Sequence, residues 1–124
     1  MRRAITLCAA LVFLATPLSA QPPAAAPSTQ VLTTLTVRTD VDRAQIMKVL
    51  PDEVRATVKL YLDGKIQQWY SRSDGKGVVF ILSATSVDEA KAVTDQLPLS
   101  KANLATFEYM PLSPLAPLRM LIQP

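Results

Sequence analysis

Alternating apolar and polar residues predict four strands in the folded part of the chain. Residues 31–38 (VLTTLTVR) alternate Leu or Val with Thr or Arg and are rich in β-branched residues. This pattern is typical of a strand with one apolar and one polar face. Residues 65–72 (KIQQWYSR) and 104–110 (LATFEYM) predict two further strands. Residues 78–84 (VVFILSA) are apolar on both faces, as a central strand should be. The segment 73–77 (SDGKG) has the composition of a hairpin loop.

A helical period separates the first two strands. Residues 43–62 carry apolar side chains at spacings of three and four, which predicts an amphipathic helix with that stripe in the core. The stripe consists of Ile46, Val49 or Leu50, Val54, Val58, and Tyr61 or Leu62. We expect Pro51 to divide this helix or to open its second part, and Asp63-Gly64 to end it.

A second helix is predicted after the central strand. Ser86 and Glu89 have the spacing of a capping box, in which each side chain bonds a backbone N–H of the first turn. The apolar residues that follow lie on one side of a helix: Val87, Ala90, Val93 and Leu97. Pro98 is expected to stop this helix because proline cannot donate to the preceding turn.

The order of the elements is β-α-β-β-α-β, with a tight hairpin in the middle. Two right-handed crossovers around a hairpin predict an α+β, ferredoxin-like fold, in which both helices cover one face of a four-stranded antiparallel sheet. The other face of so small a sheet would be bare in a monomer, so we expect a homodimer that covers it.

The first 20 residues have the anatomy of a secretory signal peptide. Arg2 and Arg3 precede a mostly apolar run over residues 4–15, and Ala20 offers a small residue for cleavage. A membrane anchor is the less favoured alternative because the apolar run is too short to span a bilayer. We therefore expect an exported protein, periplasmic or secreted, with no stable membrane anchor after cleavage.

Three further segments complete the predicted organisation. Residues 21–30 form a Pro/Ala-rich linker, residues 31–112 form the domain, and residues 113–124 form a Pro/Leu-rich arm. Pro and Leu each recur at every third position over residues 111–121, which matches the period of polyproline II. We expect the leucine stripe to pack over the sheet of its own chain or of a partner, and a frayed end is the alternative.

Removal of the signal peptide changes the charge and the cysteine count. Cys8 leaves with it, so the mature chain has neither a disulfide nor a thiolate nucleophile. Two of the 13 basic residues also leave, so the net charge falls to about +1, with no basic run for nucleic acid. The chain has no histidine, which disfavours zinc sites and His-activated nucleophiles. We predict no metal site and no cofactor.

Several short motifs occur together in the domain. They are residues 60–65 (LYLDGK), Trp69-Tyr70 followed by Arg72 and Asp74, Ser86-Val87 with Glu89-Ala90, Leu97-Pro98-Leu99, and residues 107–112 (FEYMPL). In this arrangement residues 53–112 resemble the muconolactone delta-isomerase-like branch of the dimeric α+β barrel superfamily. The Leu-Pro-Leu together with the later Pro-Leu is the more specific part of the resemblance.

The resemblance implies a function as well as a fold. It implies paired sheets that form a barrel across two subunits, with a ligand cavity between them. For the isomerase itself it implies a proton shift on an unsaturated lactone without a cofactor. The leading hypothesis is an exported homodimer that binds a small lactone or organic acid and isomerises it. The alternative is a non-catalytic binding or interaction module on the same fold. A haem-degrading relative is disfavoured because no histidine can ligate iron.

Glu108 is the candidate catalytic residue. It shares one side of the last strand with Thr106, while the first strand offers Thr34, Thr36 and Arg38. These strands are neighbours in the predicted fold, so their polar side chains should share the face opposite the helices. Enclosure by a partner would raise the pKa of the Glu108 carboxyl toward neutrality, as suits proton transfer. In the alternative interpretation, Glu108 is a structural acid paired with Arg38 or with the partner.

Four residues are candidates for substrate binding: Arg72, Tyr70, Arg38 and Thr36. The guanidinium of Arg72 matches the geometry of a substrate carboxylate, and the alternative is a hairpin salt bridge with Asp74. Tyr70 lies on the Arg72 side of its strand and can donate to an enolate oxygen. Trp69 points to the opposite side and is favoured as a core or interface residue. Which side of this strand lines the cavity is left open.

Overall fold

Seven elements follow one another along the chain. They are β1 (Gln30–Val37), α1 (Arg43–Leu62), β2 (Ile66–Ser71), β3 (Gly77–Leu82), α2 (Val87–Thr94), α3 (Pro98–Lys101) and β4 (Ala105–Leu112). The structure is a computed structural model and describes residues 26–115 and 121–122. The predicted signal peptide, the first half of the linker and part of the C-terminal arm lie outside these residues. None of the helices described is long and apolar enough to cross a membrane.

The four strands form one antiparallel sheet in the order β2-β3-β1-β4. The predicted ferredoxin-like α+β fold is therefore confirmed. One face of the sheet lies under the helices and holds the buried core, which includes Val31, Leu35, Phe80 and Leu82. β4 is an edge strand, and for that reason it tolerates Pro111, which has no N–H to give to a neighbour.

The opposite side of the sheet is called here the open face. Among the residues that the strand registers place on it are Leu32, Thr34, Thr36, Gln68, Tyr70, Val79, Ile81, Thr106, Glu108 and Met110. Their side chains alternate along each strand with those of the core. On β4 the open-face residues are exposed, whereas those of β1 are half-buried by their neighbours in the sheet.

Helix α1 buries a different stripe from the one that its apolar residues predict. Glu53 and Thr57 are buried, with 5% and 2% of their surface exposed, whereas Val54 and Val58 are exposed. Tyr61, predicted to lie in the core, is 51% exposed, so that prediction is wrong. Ile46 and Val49 of the predicted stripe do pack against the core, but further along the helix the core-facing side moves one position, to Glu53 and Thr57. There a hydrogen bond from another element satisfies one oxygen of the Glu53 carboxylate.

Pro51 neither divides α1 nor opens a second part of it, and this prediction is also wrong. The helix is continuous over its 20 residues with Pro51 inside. Proline removes the hydrogen bond that its N–H would donate to the carbonyl of Met47. Both residues are exposed, so water can reach this side of the helix. The helix ends at Asp63, and Gly64 follows with φ +73°, as the Asp-Gly pair predicts.

Pro98 opens a helix instead of stopping one. α2 ends at Thr94, and Pro98 is the first residue of the short helix α3, where its missing N–H would have no partner in the helix. The capping of α2 is as predicted at Ser86, whose Oγ accepts from the N–H of Glu89 at 3.1 Å. The Glu89 carboxylate accepts a hydrogen bond at 2.8 Å from the N–H of Thr85, the residue before Ser86.

Candidate functional site

A cavity of about 490 Å³ lies between α1 and the helix-covered face of the sheet. Its volume is within the range of small-molecule sites, which is roughly 300–1,000 Å³. The sheet supplies apolar walls, among them Leu35, Trp69, Val78 and Phe80. The rings of Trp69 and Phe80 pack at a centroid distance of 6.5 Å. Trp69 therefore belongs to the side of β2 that lines this cavity.

Glu53 is the one carboxylate among the residues that line the cavity. Its Oε2 accepts a hydrogen bond from the backbone N–H of Leu99 at 2.8 Å. Its Oε1 is buried and has no hydrogen-bond partner in the described part of the chain. A buried polar atom without a partner is rare and costly in a folded protein. A ligand in the cavity would therefore lie next to a carboxyl that has one oxygen without a partner among the described residues.

The local sequence explains how Glu53 finds its partner. Leu99 is the second residue of α3, so its N–H belongs to the first helical turn and has no acceptor within the helix. Pro98 before it has no N–H, so it adds no unpaired donor at this end of the helix. Thr57, one turn after Glu53, directs its own hydroxyl to the Glu53 backbone carbonyl at 2.8 Å, so it does not compete for the carboxylate.

Burial controls the protonation of Glu53. Desolvation raises the pKa of its carboxyl above the ordinary value of 4.5, and the Leu99 hydrogen bond acts in the opposite direction by a smaller amount. A carboxyl with a raised pKa in a cavity is a typical candidate for acid–base chemistry. Such a group holds its proton more readily at near-neutral pH than an exposed glutamate does.

Two arginines also line the cavity, with different surroundings. Arg43, the first residue of α1, is exposed and makes no ion pair with any described residue. Arg72 donates to Thr36 Oγ1 at 2.7 Å and forms a salt bridge with Asp74. The guanidinium of Arg72 is thus committed to protein partners, which is the hairpin salt bridge considered as its alternative role.

The predicted catalytic residue Glu108 lies on the open face, away from this cavity. It stands opposite Thr34, is exposed, and makes no side-chain hydrogen bond or ion pair among the described residues. Arg38, its suggested partner within the chain, instead pairs with Asp40. That interaction holds the pKa of the Asp40 carboxyl below its ordinary value, chiefly through the hydrogen bond from Arg38.

The structure brings only some of the predicted site residues together. Arg72 and Thr36 are in contact, and Tyr70 shares their face, where its hydroxyl donates to Gln68 Oε1 at 3.3 Å. Tyr70 and Glu108 occupy opposite ends of one row across the sheet. Three strand spacings separate them, which is about 14 Å. Within a single chain they do not form one site.

The residue that sequence reasoning missed is Glu53. The sequence gives only a weak indication that Glu53 is buried. Val54 and Val58 are more apolar than Glu53 and Thr57, so they define the expected core side of the helix. The alternative stripe does exist at helical spacing, through Ile46, Leu50, Glu53 and Thr57. Only the tertiary partner at Leu99 makes burial of the acid favourable.

Metal coordination finds no support in the described residues, which contain no group of three or more His, Cys, Asp or Glu placed to hold an ion.

Comparison with known proteins supports the fold. The crystal structure of muconolactone isomerase at 3.3 Å resolution is similar, with a TM-score of 0.58 and 18% sequence identity. The alignment covers 70% of this chain and 91% of that chain. No family model and no curated protein matches the sequence. At this level of identity the similarity establishes a shared ferredoxin-like fold, in agreement with the α+β barrel architecture.

The raised pKa of Glu53 predicts how stability depends on pH. Below pH 4.5, the ordinary pKa of this group, the carboxyl is protonated in both the folded and the unfolded chain. Its contribution to the free energy of unfolding is then fully present. That contribution is lost as the pH rises through the folded-state pKa. Glu53→Gln keeps an oxygen for Leu99 and cannot ionise. We expect the unfolding free energy of the wild type minus that of this variant to fall with rising pH, as measured by urea denaturation.

Glu108→Gln is the control for the loss of one negative charge. If the same fall accompanies Glu108→Gln, or is absent for Glu53→Gln, burial of Glu53 does not control its protonation.

Proposed function

We propose that this protein binds a small, largely apolar organic molecule in the cavity under α1 and that Glu53 transfers a proton to and from it. The observation that carries the proposal is the free, buried Oε1 of Glu53 beside a cavity of ligand size. The reaction class that suits it is the isomerisation of an unsaturated lactone or organic acid, without a cofactor.

A proton shift of this kind needs a single carboxylate. Ionised Glu53 removes a proton from the carbon next to a carbonyl, so the C–H electron pair moves into an enolate. The protonated carboxyl exchanges its proton with solvent and then gives a proton to a carbon further along the conjugated system, which restores the carbonyl. A raised pKa favours both steps, because a general acid–base works best when its pKa is near the operating pH. The hydrogen bond from the Leu99 N–H holds the carboxyl group in place, and Oε1 takes up and gives back a proton.

We further propose that this chain is related to the muconolactone isomerases. We also propose that it is exported and acts in the periplasm or outside the cell. The shared fold and the Leu-Pro-Leu motif support the relationship. The motif has a structural reason, since Leu99 supplies the N–H that holds Glu53 and both leucines are buried. The charged n-region and apolar run within residues 1–20 support export.

The second candidate function is a non-catalytic binding or interaction module. It is favoured by the ion pairs of Arg38 and Arg72 with neighbouring aspartates and by the role of Glu53 as a partner of Leu99. In this alternative, the charged residues stabilise the fold and the cavity binds a ligand without changing it.

Exchange of substrate protons with heavy water separates these functions. We expect the wild type to catalyse deuterium incorporation into unsaturated lactones and unsaturated oxo acids, as followed by proton NMR. Glu53→Gln should slow the exchange by about 10²–10⁴-fold, the usual contribution of a general acid–base. Ligand binding, followed by thermal shift, should persist in this variant.

Glu108→Gln is the matched control and should retain the exchange activity. Loss of exchange in Glu108→Gln but not in Glu53→Gln would move the site to the open face. Binding without exchange in the wild type would support the non-catalytic module.

We also propose that the protein is a homodimer whose subunits meet through their open faces. The exposed Met110 and Tyr70, together with Leu32, Val79 and Ile81, give this face an apolar character that a second sheet would cover. Glu108 would then be enclosed at the interface.

Oligomeric state in solution tests the homodimer. Met110 on the open face is 60% exposed, and Met47 on α1 is 53% exposed, so a charge at either position leaves the core intact. We expect Met110→Lys to shift the protein from dimer to monomer in sedimentation velocity and Met47→Lys to leave it dimeric. A wild-type monomer, or a dimer that survives Met110→Lys, contradicts the proposed interface.

A further inference from the structure

The cavity is a groove that runs along α1. Residues at helical spacing line it over four turns of the helix: Arg43, Ile46, Met47, Leu50, Glu53, Val54 and Thr57. Arg43 and Glu53 are ten residues apart in the helix, so their Cα atoms lie about 15 Å apart along its axis. A ligand that contacts both side chains must therefore be elongated.

The two polar positions of the groove differ in chemistry. At one end, the buried Glu53 presents its free Oε1. At the other, the exposed Arg43 has a guanidinium that pairs with no carboxylate in the part of the chain that the structure describes. Arg43 also stands at the N-terminus of a 20-residue helix, where the helix dipole adds positive potential. Between them the groove is lined by apolar side chains, among them Met47, Leu50, Trp69 and Phe80.

The charge balance of the lining favours an anion at the Arg43 end. Two guanidiniums, those of Arg43 and Arg72, stand against the single carboxyl of Glu53. Asp74 neutralises Arg72, so Arg43 is the one without a partner. A guanidinium offers paired donors that match a carboxylate, and the rim position keeps that contact accessible from solvent.

We infer that Arg43 selects ligands by binding a terminal carboxylate at the rim of the groove, while the uncharged carbonyl end of the same molecule reaches Glu53. This inference rests on the proposed function, because it takes the groove as the ligand site. It deepens that function by assigning the ligand class: an elongated, amphipathic oxo acid with an apolar middle. The groove volume of about 490 Å³ lies within the range of small-molecule sites, which is roughly 300–1,000 Å³.

Intrinsic fluorescence provides a direct test, because Trp69 is the only tryptophan of the chain and lines the groove. The probes are unsaturated oxo carboxylates of medium chain length and their methyl esters, which differ only in the terminal charge. We expect the full-length wild type to bind the carboxylate at least about tenfold more tightly than the ester, as charge-assisted hydrogen bonds predict. Arg43→Gln should remove this preference and leave ester binding unchanged, and Arg43→Lys should retain part of it.

Arg55→Gln is the matched control. Arg55 lies on the same helix, is exposed and paired with Asp52, and does not line the groove, so its loss lowers the net charge equally. The inference is overturned if the wild type binds ester and carboxylate equally, if Arg55→Gln lowers the preference as much as Arg43→Gln, or if neither probe binds. Deuterium exchange into compact lactones, lost in Glu53→Gln, would uphold the proposed function in each of these cases. If that exchange is also absent, the catalytic proposal fails independently.

Discussion

The burial of one carboxylate determines how the helices lie on this sheet. A buried ionisable group needs a hydrogen-bonding partner, and Glu53 finds it in the N–H of Leu99, 46 residues further along the chain. That N–H needs an acceptor in turn, because it belongs to the first turn of α3. One bond thus satisfies two groups and ties α1 to the segment that leads into β4. This contact acts together with apolar side chains of α1, such as Ile46 and Leu60, that pack against the core.

The same contact leaves the hydrogen bonding of the Glu53 carboxylate incomplete. Only one oxygen of Glu53 is satisfied, and the other remains buried beside a groove that apolar side chains do not fill. An apolar residue at position 53 would remove the unsatisfied oxygen and the acid together. Retaining a desolvated acid beside a cavity is a cost to stability that functional sites commonly bear. The Leu-Pro-Leu segment therefore holds Glu53 in place as well as contributing two leucines to the core.

The strands of the sheet could be predicted from the sequence, whereas the candidate site could not, and both outcomes have physical reasons. Strands follow from local alternation, and a hairpin between two crossovers leaves few topologies, so β1 and the pair β2–β3 could be predicted. The side of α1 that faces the core could not be predicted. Hydrophobicity favours burial of Val54 and Val58, whereas a distant backbone N–H favours burial of Glu53. Pro98 was ambiguous for a similar reason, since proline both ends and begins helices. Glu108 was correctly placed opposite the helices, but the cavity of the single chain lies on the other face.

The central claim is that ligands enter the groove under α1, and chemical-shift mapping by NMR tests it most directly. Addition of an unsaturated oxo carboxylate to the full-length protein should perturb the backbone amides of Glu53 and Leu99 and the indole N–H of Trp69. The amides of Thr34, Thr106 and Glu108 on the open face should change little. Perturbations confined to those open-face residues, with Glu53, Leu99 and Trp69 unaffected, would contradict the account.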